Sequence, residues 1–516
     1  MTLTTAAPRP RMRVSFLRVG VVLLCATAIG WTGVRAVSAV VTTPATPGPS
    51  VFAAYVDVTV TPAYPFETPA GPAQSNVILS FVTAGADDDC TPMWGGVYTL
   101  DAAASELELD RRMSQLRLTG GDARVSFGGQ RGDELAIRCT SPTALSRAYE
   151  AVVDRYELTS IDLDIEGAAL DDTAGAERRA VAIKDVQDRA ADDGRSLAVW
   201  LTLPVAPTGL TGPGEAVVAG MLSAGVELAG VNGMTMDFNS GTTPGEPYSD
   251  VVVRSATALH TQVRAAFARA GQALSIGDAW GKVGITPMIG QNDVISERFT
   301  LADAGVLNEF ARTNGVGALS MWSLNRDATC GPPLPSVLSV VQTSCSGVDQ
   351  GAQRFAVVLS ADLTAAPFSP APSPSASEDD EAATPTVTAV VDDPAHSPFP
   401  IWDALGTYPA GTKTVWHGQV FQARYWTSGF APDTPVAAAE DSPWTLIGPV
   451  LPGDTPAPLP TLPAGSYPQW DATTAYLAGT RVQLDLVPYE AKWWSQGQTP
   501  GESVAGGSPW VLVQPS

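Results

Sequence analysis

Three acids alternate with three aliphatic residues in the stretch SIDLDIEG: Asp162, Asp164 and Glu166 against Ile161, Leu163 and Ile165. On a strand, residues two apart share a face, so the acids point one way and the aliphatics the other. Neighbouring carboxylates on that face stand ~6.6 Å apart and, at an effective dielectric of ~20, repel by roughly 2.5 kcal/mol. Three such groups do not all ionise near neutrality, and the one that keeps its proton is in the state a general acid requires. Two blander readings compete. A half-exposed antiparallel strand also alternates. DLDIEG also resembles a calcium loop, but Thr173 stands at the twelfth position and the intervening residues are aliphatic.

Other chemistries find little support. Histidine occurs only as His260, His396 and His417, too sparse for a Ser-His-Asp triad or a histidine-rich metal site, and no metal or organic cofactor is expected. The net charge of −23 disfavours nucleic acid, whose phosphates it would repel, and leaves an uncharged polymer compatible. Arg9, Arg11, Arg13 and Arg18 precede an uncharged run, Val19 to Val34, and Val37-Ser38-Ala39 offers a small-residue cleavage site. This reads as a signal peptide over 1–39 and a secreted, extracellular protein, with a membrane anchor as the competing reading. Removing Cys25 with it leaves Cys90, Cys139, Cys330 and Cys345. Three pairings are possible, and we expect the sequence neighbours, Cys90–Cys139 and Cys330–Cys345, as disulfides. A zinc site is disfavoured by the absence of any C-x-x-C pair.

The elements that must position the acids follow from the pattern. Strand candidates are AAYVDV, VILSFV, ARVSFGG, SIDLDIE, LAVWLTLP, GVNGMTMDF, VGITPMIG and GALSMWSL, with helical stretches such as ERRAVAIKDVQDRAADDG and VVVRSATALHTQVRAAFARAG between them. Eight strands alternating with helices predict an α/β fold, a (β/α)8 TIM barrel, over 54–363. A doubly wound open sheet is the runner-up, though FGGQRGDE is no G-x-G-x-x-G fingerprint. In a barrel the aliphatic face meets the outer helices and the acids enter the lumen at the C-terminal end of the fourth strand. The segments 40–53, 364–398 and 450–466 read as linkers, two of them rich in Pro. The segments between and after them, 399–449 and 467–516, repeat one another. Trp402-Asp403-Ala404, Tyr408, Gly411-Thr412, Phe421, Ala423 and Trp426 recur 68 positions later as Trp470-Asp471-Ala472, Tyr476, Gly479-Thr480, Tyr489, Ala491 and Trp494. That is a duplicated small domain.

IDLDIEG resembles the D-x-D-x-E signature of family 18 glycoside hydrolases, the chitinases and endo-β-N-acetylglucosaminidases. VSFGG, with Ser126, Gly128 and Gly129, resembles the family's third-strand S-x-G-G. MTMDF resembles its sixth-strand segment and keeps Asp237, and SMWSLNRD resembles its eighth strand. The resemblance covers most of 54–330. It implies Glu166 as general acid/base, Asp164 as the partner of the substrate's acetamide N–H, and Asp162 sharing charge or a proton with Asp164. It further implies that Asp237 orients the acetamide and that Trp322 floors the −1 subsite. Met236 departs from the pattern, replacing a tyrosine whose hydroxyl supports the acetamide; a thioether cannot donate. Beside these, PMIGQND ends the seventh strand, placing Met288, Gln291, Asn292 and Asp293 as cleft candidates. Trp94 follows the second strand, set either to stack on a sugar or to pack near Cys90.

The repeated segments resemble small all-β chitin- and cellulose-binding modules of families 5 and 12. ARYWT and AKWWS suggest a binding face of Tyr425, Trp426, Trp493 and Trp494, with Trp402 and Trp470 as further candidates; the competing reading makes such aromatics the module's own core. The expectation is a secreted, monomeric chitinase, free of the membrane once its signal is cleaved, acting on chitin or chitooligosaccharides. An endo-β-N-acetylglucosaminidase on glycans or peptidoglycan and a non-hydrolytic chitin-binding lectin are the alternatives.

Overall fold

The computed structural model describes residues 50–86, 90–243, 245–363, 368, 391–456, 459–501 and 508–513. The expected signal segment and most of the linker 364–398 lie outside these residues. Among the described residues no helix is long and apolar enough to cross a membrane.

The large block is a mixed α/β unit. Its principal strands are β1 (Val51–Phe52), β2 (Ala54–Asp57), β3 (Asn76–Ala84), β4 (Asp122–Gly128), β5 (Ser160–Asp164), β6 (Ala198–Ala206), β7 (Leu228–Met234), β8 (Val283–Thr286) and β9 (Ala318–Leu319). Between them run α1 (Leu109–Leu118), α2 (Pro142–Arg155), α3 (Thr173–Asp192), α4 (Gly212–Ser223), α5 (Tyr248–Arg269) and α6 (Leu301–Asn314). Each of the eight expected strand stretches overlaps one of these strands. The first begins earlier than composition suggests: Val51–Phe52, placed in the linker 40–53, already pair with Ala318–Leu319.

From β3 to β9 every neighbouring pair is parallel and follows chain order. A doubly wound sheet reverses its strand order at a switch point, and this order has no such reversal. At the ends, β1 pairs with β9 and β2 pairs with β3. Only Ala53 separates β1 from β2.

The helices form where apolar residues recur every three or four positions. On α3 the buried set includes Ala182, Ile183, Val186 and Ala190; on α5 it includes Val252, Ala256, Leu259, Val263 and Phe267. Local signals fix their ends: Pro142 opens α2 behind the Ser141 cap, and α6 runs from a Thr300/Asp303 capping box to Gly315 at φ 69°. Ile161, Leu163 and Ile165 are fully buried in the core between sheet and helices. Disulfides join Cys90 to Cys139 and Cys330 to Cys345.

The two repeats fold alike. Each has a three-stranded antiparallel sheet: β10 (Lys413–Trp416), β11 (Gln419–Ala423) and β12 (Trp444–Pro449) in the first, β13 (Arg481–Leu484), β14 (Val487–Ala491) and β15 (Trp510–Leu512) in the second. Lys413 lies opposite Gln422 and Arg481 opposite Glu490, the same register in both. Tyr408 and Trp444 pack edge-on at 5.1 Å, and Tyr476 and Trp510 at 5.2 Å.

Candidate active site

β5 carries the acids into a cavity of about 250 Å³ that Asp164, Glu166, Met236, Asp237, Asp293 and Trp322 help to line. Two glycines make room for β5. A Cβ on Gly128 would lie 2.0 Å from the Asp164 carbonyl oxygen, and Gly129, at φ 87°, donates its N–H to that oxygen at 3.0 Å. Only glycine lets the end of β4 fold so closely over its neighbour.

Asp162 lies deepest and accepts three hydroxyl hydrogen bonds: Tyr55 at 2.9 Å, Ser126 at 2.7 Å and Thr202 at 2.6 Å. The network continues sideways, with the Asn232 amide donating to Thr202 at 3.0 Å and to Thr286 at 2.8 Å. Burial pushes the Asp162 carboxyl up, opposed by the Thr202 hydroxyl, the Arg124 charge and the Ser126 and Tyr55 hydroxyls. Arg124 is the buried cation beneath, its Nε donating to the Ser160 hydroxyl at 2.8 Å.

Asp164 is also buried, but its Oδ1 has no hydrogen-bond partner. Burial, then the charges of Glu166 and Asp162, push its carboxyl well above the ordinary carboxylate range. Glu166, half-buried at the mouth, is pushed up to about 7 by burial and by the Asp237 charge. β5 and the residues just after it therefore present three carboxyls in different settings: Asp162 held by three hydroxyls, Asp164 pushed well up with an unpartnered oxygen, and Glu166 at about 7. Such a graded set can donate and recover a proton.

Asp237 sits at φ 49° on the loop after β7 and accepts the Val294 N–H at 3.0 Å. Beneath it, Glu297 accepts the N–H groups of Phe238 and Asn239 and the Tyr248 hydroxyl. Trp322 stacks on Phe81 with centroids 5.4 Å apart, and Tyr55 packs against both rings.

Two sequence expectations, for Gln291 and Asn292, need correction, and the alternatives left open for Trp94 are decided. Gln291 and Asn292 do not reach the cavity. The Gln291 amide donates to carbonyls of its own loop, among them Asn292 and Glu297, while Asn292 donates to Met288 and Gly290. A loop that turns back on itself leaves carbonyls without strand partners, and these two amides satisfy them. Met288 and Asp293 of the same stretch do line the cavity. Trp94 is fully buried and donates its indole N–H to the Tyr156 hydroxyl at 2.9 Å, so no sugar can stack on it. Sequence reasoning missed Tyr55, Thr202, Asn232 and Thr286. The available signal was a polar residue at a lumen-facing position of an otherwise apolar strand.

In the modules, Tyr425, Trp426, Trp493 and Trp494 are exposed, at 52%, 63%, 38% and 58%. Trp402 and Trp470 instead pack partly buried against their module cores.

No protein-family model matches the chain. A probable bifunctional chitinase/lysozyme of Escherichia coli (strain K12) is 35% identical over 314 residues, 59% of this chain and 34% of that protein. Endochitinase 11 of Metarhizium anisopliae is 34% identical over 324 residues, 61% of this chain and 58% of that one. The catalytic domain of a hyperthermophilic chitinase from Pyrococcus furiosus superposes with a TM-score of 0.51 at 28% identity, covering 61% of this chain and 95% of that domain. In sequence and in fold, this chain is similar to chitinases. It spans about a third of the Escherichia coli protein and 58% of the Metarhizium one.

Proposed function

We propose that this chain is a secreted chitinase that hydrolyses the β-1,4 bonds between N-acetylglucosamine units by a retaining, substrate-assisted mechanism. One observation carries the reading: Asp164 and Glu166 meet Trp322 in one cavity, with Glu166 held at about 7. The likeness to chitinases in both sequence and fold supports it.

In this mechanism Trp322 underlies the sugar whose bond is cut. Glu166 gives its proton to the glycosidic oxygen while the substrate's own acetamide oxygen attacks the anomeric carbon, forming an oxazolinium ion and releasing the leaving sugar. Water, deprotonated by Glu166, then opens the ring with net retention. An internal nucleophile supplies an effective molarity of ~10⁵–10⁸ M, so no second protein carboxylate has to attack. Asp164 holds the acetamide N–H once it passes its proton towards Asp162, whose three hydroxyl donors and nearby Arg124 support the exchange. Asp237 orients the acetamide from the opposite side. Met236 supplies no hydrogen bond; with Met234 and Met288 it offers a soft apolar wall for the acetamide methyl.

The sheet is read as a (β/α)8 barrel because the run 51–57 bonds to β9 at its start and to β3 at its end, and the lumen-facing network joins β2, β4, β5, β6, β7 and β8. The repeats are read as chitin-binding modules, each presenting an exposed aromatic pair that can lie against pyranose faces. Mass spectrometry after incubation with chitohexaose, wild type beside Glu166→Gln, tests the proposal. Short N-acetylglucosamine oligomers from the wild type alone are expected; cleavage by both proteins, or by neither when both are folded, refutes it.

A further inference from the structure

The first small module does not stand clear of the large block. Its edge strand β12 lies against α1, and the contact is charged and buried. Glu108, which caps α1, accepts from Arg111 Nε at 3.0 Å on one side and from Lys413 of the module on the other. Arg111 in turn pairs with Asp454 at 2.9 Å and donates to the Pro449 carbonyl at the end of β12. Glu108 and Arg111 are only 6% and 5% exposed. Glu108 also holds a left-handed backbone, φ 53°, which a non-glycine residue keeps only where its surroundings enforce it. Buried charges of this kind persist only when paired, and half of the pairing comes from the module and the segment after it.

The repeat itself supplies an independent observation, because the two modules differ where the first one touches α1. Gly448, at φ 147°, approaches so closely that a Cβ would lie 2.7 Å from the Arg111 carbonyl oxygen and 3.0 Å from the Gln115 Cβ. Four residues after the matching tryptophan, the second module has Gln514 in that place. Lys413 matches Arg481, which pairs within its own module to Glu490 at 2.8 Å. The landmarks of the shared fold are kept, and the interface residues are not.

We infer that the first module is a fixed part of the catalytic body, locked to α1 by the Glu108–Arg111–Lys413–Asp454 network, so that its exposed Tyr425 and Trp426 hold polymer at a set position relative to the cleft. Both rings lie outside the contact. The functional half rests on the reading of the chain as a chitinase with polymer-binding modules; the docking half does not. A linker lets a module sample many positions, whereas a docked module offers one, so the cleft meets the same length of chain each time the module binds.

Full-length chain with spin labels at Ile276→Cys on the large block and Leu405→Cys on the module, both exposed, tests the docking. One narrow distance is expected. It should broaden in Gly448→Gln and in Lys413→Gln combined with Asp454→Asn, with near-ultraviolet circular dichroism verifying that the module stays folded. A distribution as broad in the parent as in the double variant overturns the docking. Sugar release from crystalline chitin should fall at least threefold in the variants while chitohexaose rates stay unchanged; undiminished release overturns the set position. Should the parent cleave neither substrate, the chitinase reading fails while the distances still decide the docking.

Discussion

Glu166→Gln should stabilise the fold at alkaline pH while abolishing turnover. A carboxyl held at about 7 instead of the ordinary 4.5 means that the folded protein favours its neutral form by about 3 kcal/mol. Between those two values the native chain keeps a proton that the unfolded chain has released. Stability therefore falls as pH rises, and the loss is complete above 7. Glutamine carries no charge at any pH and escapes the penalty. The variant should match wild type near pH 4 and exceed it by about 3 kcal/mol near pH 8. At about 2 °C per kcal/mol for a domain of this size, that is roughly 6 °C in Tm.

Calorimetric melts of both proteins at the two pH values measure the difference. Burial is the leading cause of the shift and the Asp237 charge the second, so the same carboxyl should set the alkaline limb of activity. The wild-type rate should fall about tenfold per pH unit above 7. An equal gap in Tm at pH 4 and pH 8 would refute the argument, because it would mean that Glu166 is ionised, or neutral, throughout the range.

The disulfides and the module aromatics yield two further expectations. Cys90–Cys139 closes 49 residues and Cys330–Cys345 only 15, so replacing each pair by serine should cost about 4 and 3 kcal/mol respectively in urea denaturation; the opposite ranking would contradict loop entropy as the main cause. Seating one face of an exposed indole on a sugar is worth about 1 kcal/mol, so Trp426→Ala and Trp494→Ala should each weaken adsorption to crystalline chitin about fivefold and leave chitohexaose hydrolysis unchanged. Trp402→Ala should instead lower the melting temperature of its module, since that ring packs on the core; adsorption loss without destabilisation would return Trp402 to the binding face.

The parts legible in the sequence share one property: they repeat. Alternation marked β5, its three acids and the apolar face behind them, and the spacing of strands and helices gave their order. The constant offset of 68 revealed the modules. What stayed hidden depends on single residues meeting across the fold. Tyr55, Thr202, Asn232 and Thr286 come from four different strands, and each is one polar position in an apolar run. Gln291 and Asn292 misled because an amide beside a cleft strand reads the same whether it faces substrate or its own backbone. The docking of the first module was masked by composition, since a Pro-, Ser- and acid-rich segment suggests a free tether whatever the surface beyond it does.

The pattern SIDLDIEG says that three acids share a face, but not which keeps a proton. The surroundings decide that. Asp162 and Asp164 are adjacent, chemically identical and both buried, so burial alone would raise them together. Three hydroxyl donors and Arg124 act on Asp162 to oppose the rise, whereas Asp164 has an unpartnered oxygen and two neighbouring negative charges that add to it. The pair is thereby split: both carboxyls are pushed up, and Asp164, next to the cavity, is pushed further than Asp162. Neither residue type nor spacing contains that asymmetry. It comes from Thr202, Arg124, Ser126 and Tyr55 around Asp162 and from the charges beside Asp164, and removing the three hydroxyls would leave the acid motif intact while narrowing the difference that lets its members act differently.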